Sequence, residues 1–125
     1  MLYLSLLMIF IGIANSDKDY LNDFRNGLLV VSIMSIVYGL LQLTKHDFIN
    51  WKNQYAGTAL TLGNPNFAGA LVGLLIVVPI QIIHTAKSLA SKLFGYALGL
   101  GIVVISFATQ ALQSLVLLVL VGIIH

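Results

Sequence analysis

Five apolar runs, separated by short polar segments, constrain the fold of this chain more than any other feature. The runs cover residues 1–14, 27–43, 67–84, 93–108 and 111–124. Charged residues make up 8% of the 125-residue chain, against about 25% in a typical soluble domain. Because so little polar surface cannot cover a water-soluble globule, the sequence predicts an integral membrane protein.

The apolar runs favour helices over strands. Backbone groups in hydrocarbon must be paired internally, so only helices and closed barrels cross a bilayer. Barrel strands alternate lipid-facing and lumen-facing residues, whereas residues 71–83, LVGLLIVVPIQII, show no alternation. The predicted fold is therefore all-α, a polytopic transmembrane bundle of about five helices in one membrane domain over residues 1–125. The first and last runs fall short of the roughly 20 residues that a span needs, so we expect a piece of a larger protein.

Composition argues against several kinds of site. The net charge of +2 is small and scattered, which does not favour a nucleic-acid partner. Cysteine is absent, no two histidines have metal-ligand spacing, and no carboxylate lies within a run. The sequence thus predicts no metal site, no cofactor and no catalytic residue, and His46 and Asp47 are interpreted as solvated groups.

The distribution of basic residues predicts the orientation. The first and third connections carry four basic residues, and the second and fourth carry two. These residues are Lys18, Arg25, Lys87 and Lys92 on the first side, and Lys45 and Lys52 on the second. By the positive-inside rule the first side is cytoplasmic, and the long connection 44–66 faces outward. The polar segment 15–26 is interpreted as a solvated cytoplasmic loop.

A polar motif, Gly63-Asn64-Pro65-Asn66, stands directly before the third run. Asparagine is a favoured helix N-cap, proline is favoured at the first helical position, and glycine permits a sharp turn. The motif therefore predicts a helix start. Because helix N-termini attract anions, a lipid-linked phosphate is a possible ligand there, and capping alone remains the alternative.

The glycines within the runs leave the mode of helix packing open, and the proline leaves the shape of the third helix open. The Gly69-x-x-x-Gly73 and Gly95-x-x-x-Gly99 spacings permit close helix contact, in a bundle or at a dimer face. We favour a bundle, because a dimer face needs a single-span context. Pro79 predicts a kink in the third run or, in a transporter, part of a discontinuous helix.

The segment 61–67, TLGNPNF, with small residues and an apolar run after it, resembles the signature of the O-antigen ligase and O-antigen polymerase family. The stretch 37–42, VYGLLQ, is similar to the end of the preceding helix in such proteins, and the resemblance covers residues 30–124. It implies a larger C-type glycosyltransferase-like fold in the bacterial cytoplasmic (inner) membrane. The implied activity is transfer of glycan from undecaprenyl-diphosphate to an acceptor in cell-surface polysaccharide biosynthesis. Together with the helix start, it gives the candidate substrate-binding residues, which are Thr61, Gly63, Asn64 and Asn66.

The chain departs from the family pattern in three places. Many members carry an arginine at the position of Gly57, many carry one in the segment matching 109–114, and members have a large external loop that is absent here. We therefore expect the chain to be inactive alone, and whether it is an enzyme stays open. The implied partners are membrane lipid, an undecaprenyl-diphosphate-linked glycan and other membrane helices of a larger protein.

Two alternatives without glycan chemistry remain. One is a small polytopic membrane protein with an interaction or packing role, and the other is a transporter fragment. Transporters usually place helix breaks near the bilayer midplane. The Asn64 motif instead adjoins the polar connection 44–66, which favours an interfacial position and the ligase-like interpretation.

The orientation is testable with single cysteines, since the chain has none of its own. We expect Asn53→Cys to react with a membrane-impermeant thiol reagent in intact cells, and Ser88→Cys to stay unlabelled, because the lysine and arginine bias places the two positions on opposite sides. Permeabilised cells provide the control in which both react. The reverse pattern would contradict the orientation.

Overall fold

The described part of the chain consists of helices joined by irregular connections. The computed structural model describes residues 18–49 and 58–124. These residues form five α-helices and one short 3-10 helix, with no strand among them. The elements are α1 (Lys18–Leu43), the 3-10 helix (Leu60–Leu62), α2 (Pro65–Leu75), α3 (Val77–Thr85), α4 (Leu89–Ala108) and α5 (Leu112–Ile124). The predicted all-α class is confirmed for this part, and the predicted run 1–14 lies outside the described residues.

Three segments of the described chain are long and apolar enough to cross a membrane. They are Tyr20–Leu43, Pro65–Thr85 and Leu89–Ala108, and they contain the predicted runs 27–43, 67–84 and 93–108. At about 1.5 Å per residue each reaches roughly 30 Å or more, the thickness of a hydrocarbon core. The predicted run 111–124 corresponds to α5, which is apolar but shorter than a span. The described helices are thus compatible with a multi-pass membrane protein.

The helix α1 begins earlier than the sequence predicts. It starts at Lys18, so the prediction of a loop over residues 15–26 is wrong from residue 18 onward. No proline or glycine lies between Lys18 and Asn26 to interrupt a helix. The polar residues extend the apolar helix beyond the thickness of a hydrocarbon core, and the exposed Asp23 remains accessible to solvent there.

Pro79 interrupts the helical hydrogen bonding of the third run without unwinding it. The helix α2 ends at Leu75 and α3 begins at Val77, but Ile76 between them keeps right-handed helical angles, φ −61 and ψ −22. Proline has no N–H to donate to the carbonyl four residues earlier, and the next bond, from Ile80 N to Ile76 O, is long at 3.5 Å. The helical hydrogen bonding is therefore interrupted ahead of Pro79 while the backbone at Ile76 stays helical, and the kink itself stays a prediction.

The helix α4 lies at the centre of the bundle. It packs against each of the other four helices, and α5 packs mainly against α2. The core around it includes Val72, Leu98, Ile102 and Ile105, each 5% exposed or less. In lipid, where apolar burial between helices gives little driving force, such close van der Waals contact carries the association.

The first glycine pair, Gly69 and Gly73, faces α5. A Cβ built on Gly69 would overlap the Cβ of Ala111, and one on Gly73 would lie 2.9 Å from the Cβ of Leu117. These distances are shorter than side-chain contacts tolerate, so the missing side chains are what allows α2 and α5 to approach.

The second glycine pair, Gly95 and Gly99, faces α3. A Cβ on Gly95 would lie 2.7 Å from Cγ1 of Ile83, and one on Gly99 would lie 3.5 Å from Cβ of Pro79. Both glycine pairs are therefore occupied by helices of the same chain. The interpretation of these spacings as bundle packing is confirmed.

The connections gather at two opposite ends of the bundle, as the alternation of runs predicts. Thr58 N donates to Ala108 O at 3.0 Å, which joins the second and fourth connections at what we call the Asn64 end. Arg25, Thr85 and Lys87 line one cavity at the opposite end, which we call the Arg25 end. The side of the bilayer that each end faces stays a prediction.

The contact between α2 and α5 is testable by adding and removing one methyl group. We expect Gly69→Ala to lower the free energy of unfolding by about 1–3 kcal/mol, because a close-packed contact is overfilled. Adding Ala111→Gly to this variant should restore part of the loss, since it removes the opposing Cβ. Thermal unfolding in mild detergent, followed by helical circular dichroism, measures both.

The matched control is Gly122→Ala on α5, where an added Cβ meets nothing within 4 Å. This change should leave stability unchanged or raise it by up to about 1 kcal/mol, because alanine favours a helix over glycine. Equal losses for Gly69→Ala and Gly122→Ala would contradict the assigned contact.

Candidate functional site

Asn64 caps α2, as the sequence predicts. Its backbone is extended, with φ −134 and ψ 120, and its side-chain Oδ1 accepts a hydrogen bond from Asn66 N at 2.9 Å. Pro65 is the first helical residue, and Ala68 N donates to Asn64 O at 3.0 Å. The cap satisfies a helix-start donor that has no partner within the helix.

The four candidate residues lie together at the surface of the Asn64 end. Gly63 has the left-handed backbone angle φ 67, which glycine adopts without strain, and so turns the chain from the 3-10 helix into α2. Thr61, Asn64 and Asn66 are exposed, and Gly63 is partly exposed. The structure thus makes these residues accessible to a ligand at a helix start, and their role in substrate binding stays a prediction.

Beside the helix start, Asp47 is held by a network that the sequence does not predict. Its Oδ1 accepts hydrogen bonds from Tyr38 Oη at 2.7 Å and from Ile49 N at 2.9 Å, and its Oδ2 accepts one from Gln42 Nε2 at 2.7 Å. The side chain is partly buried, so its interpretation as a solvated loop residue is wrong. A sequence signal existed, because Tyr38 and Gln42 are four residues apart and share a helix face.

Gln42 also binds the backbone of the 3-10 helix. Leu60 N donates to Gln42 Oε1 at 2.9 Å, and Gln42 Nε2 lies 3.4 Å from Leu60 O. Leu60 is 2% exposed and has a φ of 50, a conformation that costs free energy for a residue with a side chain. The bonds to Gln42 hold it there. Gln42 thus joins α1 to Asp47 and to this strained turn.

An apolar groove of about 430 Å³ runs between α1 and the segment that leads into α2. Its lining includes Tyr38, Phe48, Leu60, Thr61 and Leu71. The rings of Tyr38 and Phe48 lie 5.5 Å apart at an angle of 44°. One candidate site residue, Thr61, therefore links the exposed helix start to an apolar groove.

A cluster of buried hydroxyl groups supports α2 from the opposite side. Thr109 Oγ1 and Ser114 Oγ both donate to Ser106 O, at 2.8 and 3.1 Å. A Cβ on Gly69 would lie 3.1 Å from Thr109 Oγ1. The segment 109–114, where the sequence lacks the arginine of the family pattern, is thus packed directly against α2.

The histidine outside the spans shows no catalytic geometry. His46 is exposed, and its Nδ1 lies 3.2 Å from Thr44 Oγ1. Within residues 18–49 and 58–124, no group of three histidines, cysteines or carboxylates is placed to hold a metal ion. The described part of this end presents an exposed helix start beside an apolar groove.

Comparison of the chain with protein-family models, with curated proteins and with solved structures gives no match. The family resemblance therefore rests on the motif residues and their placement.

The role of Gln42 is testable by removing its polar atoms while keeping its size. We expect Gln42→Met to destabilise the chain by about 1–3 kcal/mol, because Asp47 loses a donor and the buried Leu60 N–H loses its acceptor. Amide hydrogen exchange of residues 58–62 should accelerate in parallel. Gln81→Met, at an exposed position on α3, should change stability by less than about 0.5 kcal/mol. The same exchange rates in both variants would rule out the bridging role.

Proposed function

We propose that this chain is part of an O-antigen ligase or polymerase-type membrane glycosyltransferase. In this proposal the helix start at Asn64 receives the diphosphate of an undecaprenyl-diphosphate-linked glycan, on the outer face of the bacterial cytoplasmic membrane. The observation that carries the proposal is the continuity between the exposed helix start and the apolar groove, which share Thr61.

The two parts of the site match the two parts of such a ligand. A helix N-terminus carries a partial positive charge that favours phosphate oxygens. The adjacent groove is lined by Tyr38, Phe48, Leu60 and Leu71, and such side chains suit an isoprenoid tail. A carrier lipid with a charged head and an apolar tail would contact both.

In this proposal the chain supplies the helix start and the groove, and it lacks the arginines and the acceptor-activating base that the family uses. Gly57 and the segment 109–114 provide no arginine for a diphosphate clamp. Lys45 is the described cation at the Asn64 end, and it is exposed. Further spans of a larger fold, beyond the three described, would supply the clamp and the acceptor-activating base, so this chain alone would transfer no glycan.

The second candidate is a membrane packing protein without glycan chemistry. It is favoured by α5, which exposes the apolar residues Leu112, Val116, Val119 and Ile123. Such a face suits contact with other membrane helices. This candidate gives Asn64 a capping role alone, so binding of the carrier lipid distinguishes the two.

The proposal is testable with three substitutions at Asn64. Asn64→Ala should cost about 0.5–2 kcal/mol of stability, while Asn64→Ser and Asn64→Asp should retain the cap. Asn64→Asp adds a negative charge where the diphosphate would lie. At about 4 Å and an effective dielectric near 20, a like-charge contact costs about 4 kcal/mol before screening, and one third of that weakens binding about tenfold.

The measurement is titration of undecaprenyl-diphosphate into lipid nanodiscs that hold the full chain. We expect Asn64→Ser to bind as the unmodified chain does and Asn64→Asp to bind about tenfold more weakly. Thermal unfolding of each variant provides the control for folding. Equal binding by the Asp and Ser variants would leave Asn64 as a cap and would refute the proposed site.

A further inference from the structure

A second cavity, of about 580 Å³, lies at the Arg25 end of the bundle. It is bounded by the beginning of α1, the end of α3 and the beginning of α4. Arg25 from α1 and Lys87 from the α3–α4 connection contribute two positive charges, and no carboxylate is among the described residues that line the cavity. Asp23 is two residues from Arg25, about 200° around the helix, and is exposed away from the lining.

The remaining lining divides into a polar part and an apolar part. Asn26, Thr85 and Ser91 add polar side chains, while Leu29, Ile82 and Phe94 form an apolar wall. Two of the hydroxyl groups are already oriented, since Thr85 Oγ1 donates to Gln81 O at 2.8 Å and Ser91 Oγ lies 2.8 Å from Ser88 Oγ. The cavity thus combines two cations with apolar surface at the end of the spanning helices.

We infer that this cavity binds the headgroup of an anionic phospholipid, with Arg25 and Lys87 on the phosphate and the acyl chains along Leu29, Ile82 and Phe94. Arginine presents a planar fork that fits two phosphate oxygens, and lysine adds a point charge. Basic pockets between membrane helices bind anionic headgroups by the same chemistry. The inference is independent of the proposed function, which concerns the opposite end of the bundle.

The apolar wall selects a lipid over a soluble phosphate. A free anion would gain nothing from Leu29, Ile82 and Phe94, whereas acyl chains would be in contact with them. At the start of α4 the N–H of Ser91 is already bonded to Ser88 Oγ at 3.1 Å, so the positive charge of the cavity comes mainly from the two side-chain cations. The two cations and the apolar wall are therefore the groups to test.

The first test removes the charges. The full chain in a mild non-ionic detergent is titrated with phosphatidylglycerol, and the lipid-bound fraction is measured by native mass spectrometry. Each cation near a lipid phosphate contributes about fivefold in affinity, so Arg25→Gln with Lys87→Gln should weaken binding about 30-fold. Lys92→Gln removes the same charge from an exposed position at the same end that does not line the cavity, and it should change affinity less than twofold.

The second test fills the cavity and keeps both charges. Ala90 lines the cavity on α4, and Ala97 is an exposed residue of the same helix outside it. We expect Ala90→Leu to weaken phosphatidylglycerol binding at least fivefold and Ala97→Leu to leave it unchanged. Because both variants exchange alanine for leucine on the surface of a helix, they should fold alike, which helical circular dichroism checks.

Two further arms distinguish the ligand. Phosphatidylethanolamine, which has the same acyl chains and no net charge, should bind at least tenfold more weakly, and millimolar inorganic phosphate should not displace the anionic lipid. Displacement by inorganic phosphate would overturn the lipid assignment in favour of a soluble anion. Equal weakening by Lys92→Gln and the double variant, or unchanged binding by Ala90→Leu, would overturn the cavity assignment altogether.

Discussion

The contact between the glycine face of α2 and the beginning of α5 is the interaction on which the rest of the described structure depends. Helices in lipid gain little from burying apolar surface against each other, so their association relies on close contact and on hydrogen bonds. Gly69 and Gly73 permit the contact, and the hydroxyl groups of Thr109 and Ser114 bond to Ser106 O beneath it. Since Asn64 caps α2, this contact also fixes the direction of the exposed helix start.

The two ends of the bundle offer different chemistry. At the Asn64 end the described polar groups mostly bond to one another, as Tyr38, Gln42 and Asp47 do, and a neutral groove lies beside a helix start. At the Arg25 end two cations line a cavity to which the described residues contribute no carboxylate. A membrane protein with this asymmetry presents one surface suited to recognition by shape and helix dipole, and another suited to recognition by net charge.

The sequence predicts those features that depend on neighbouring residues. The helical class follows from run length, the start of α2 from Asn64 and Pro65, and the interrupted helical bonding of the third run from Pro79. The start of α1 is missed because polarity alone does not end a helix. The network around Asp47 and the cavity at Arg25 are missed for a different reason, since each depends on the distance between residues of separate elements. Gln42 and Leu60, for example, are 18 residues apart in the sequence, which is too far for a local sequence pattern to predict their hydrogen bond.

The bonds from Gln42 to Leu60 hold together the two ends of the connection that follows α1, independently of the residues between them. Once the ends are held, lengthening a flexible connection costs little, about 0.6 kcal/mol of closure entropy for each doubling of its length. We therefore expect a longer connection at this junction to leave α1 and α2 in place. Variation in the size of this connection among related chains would then reflect selection for what it contacts outside the membrane.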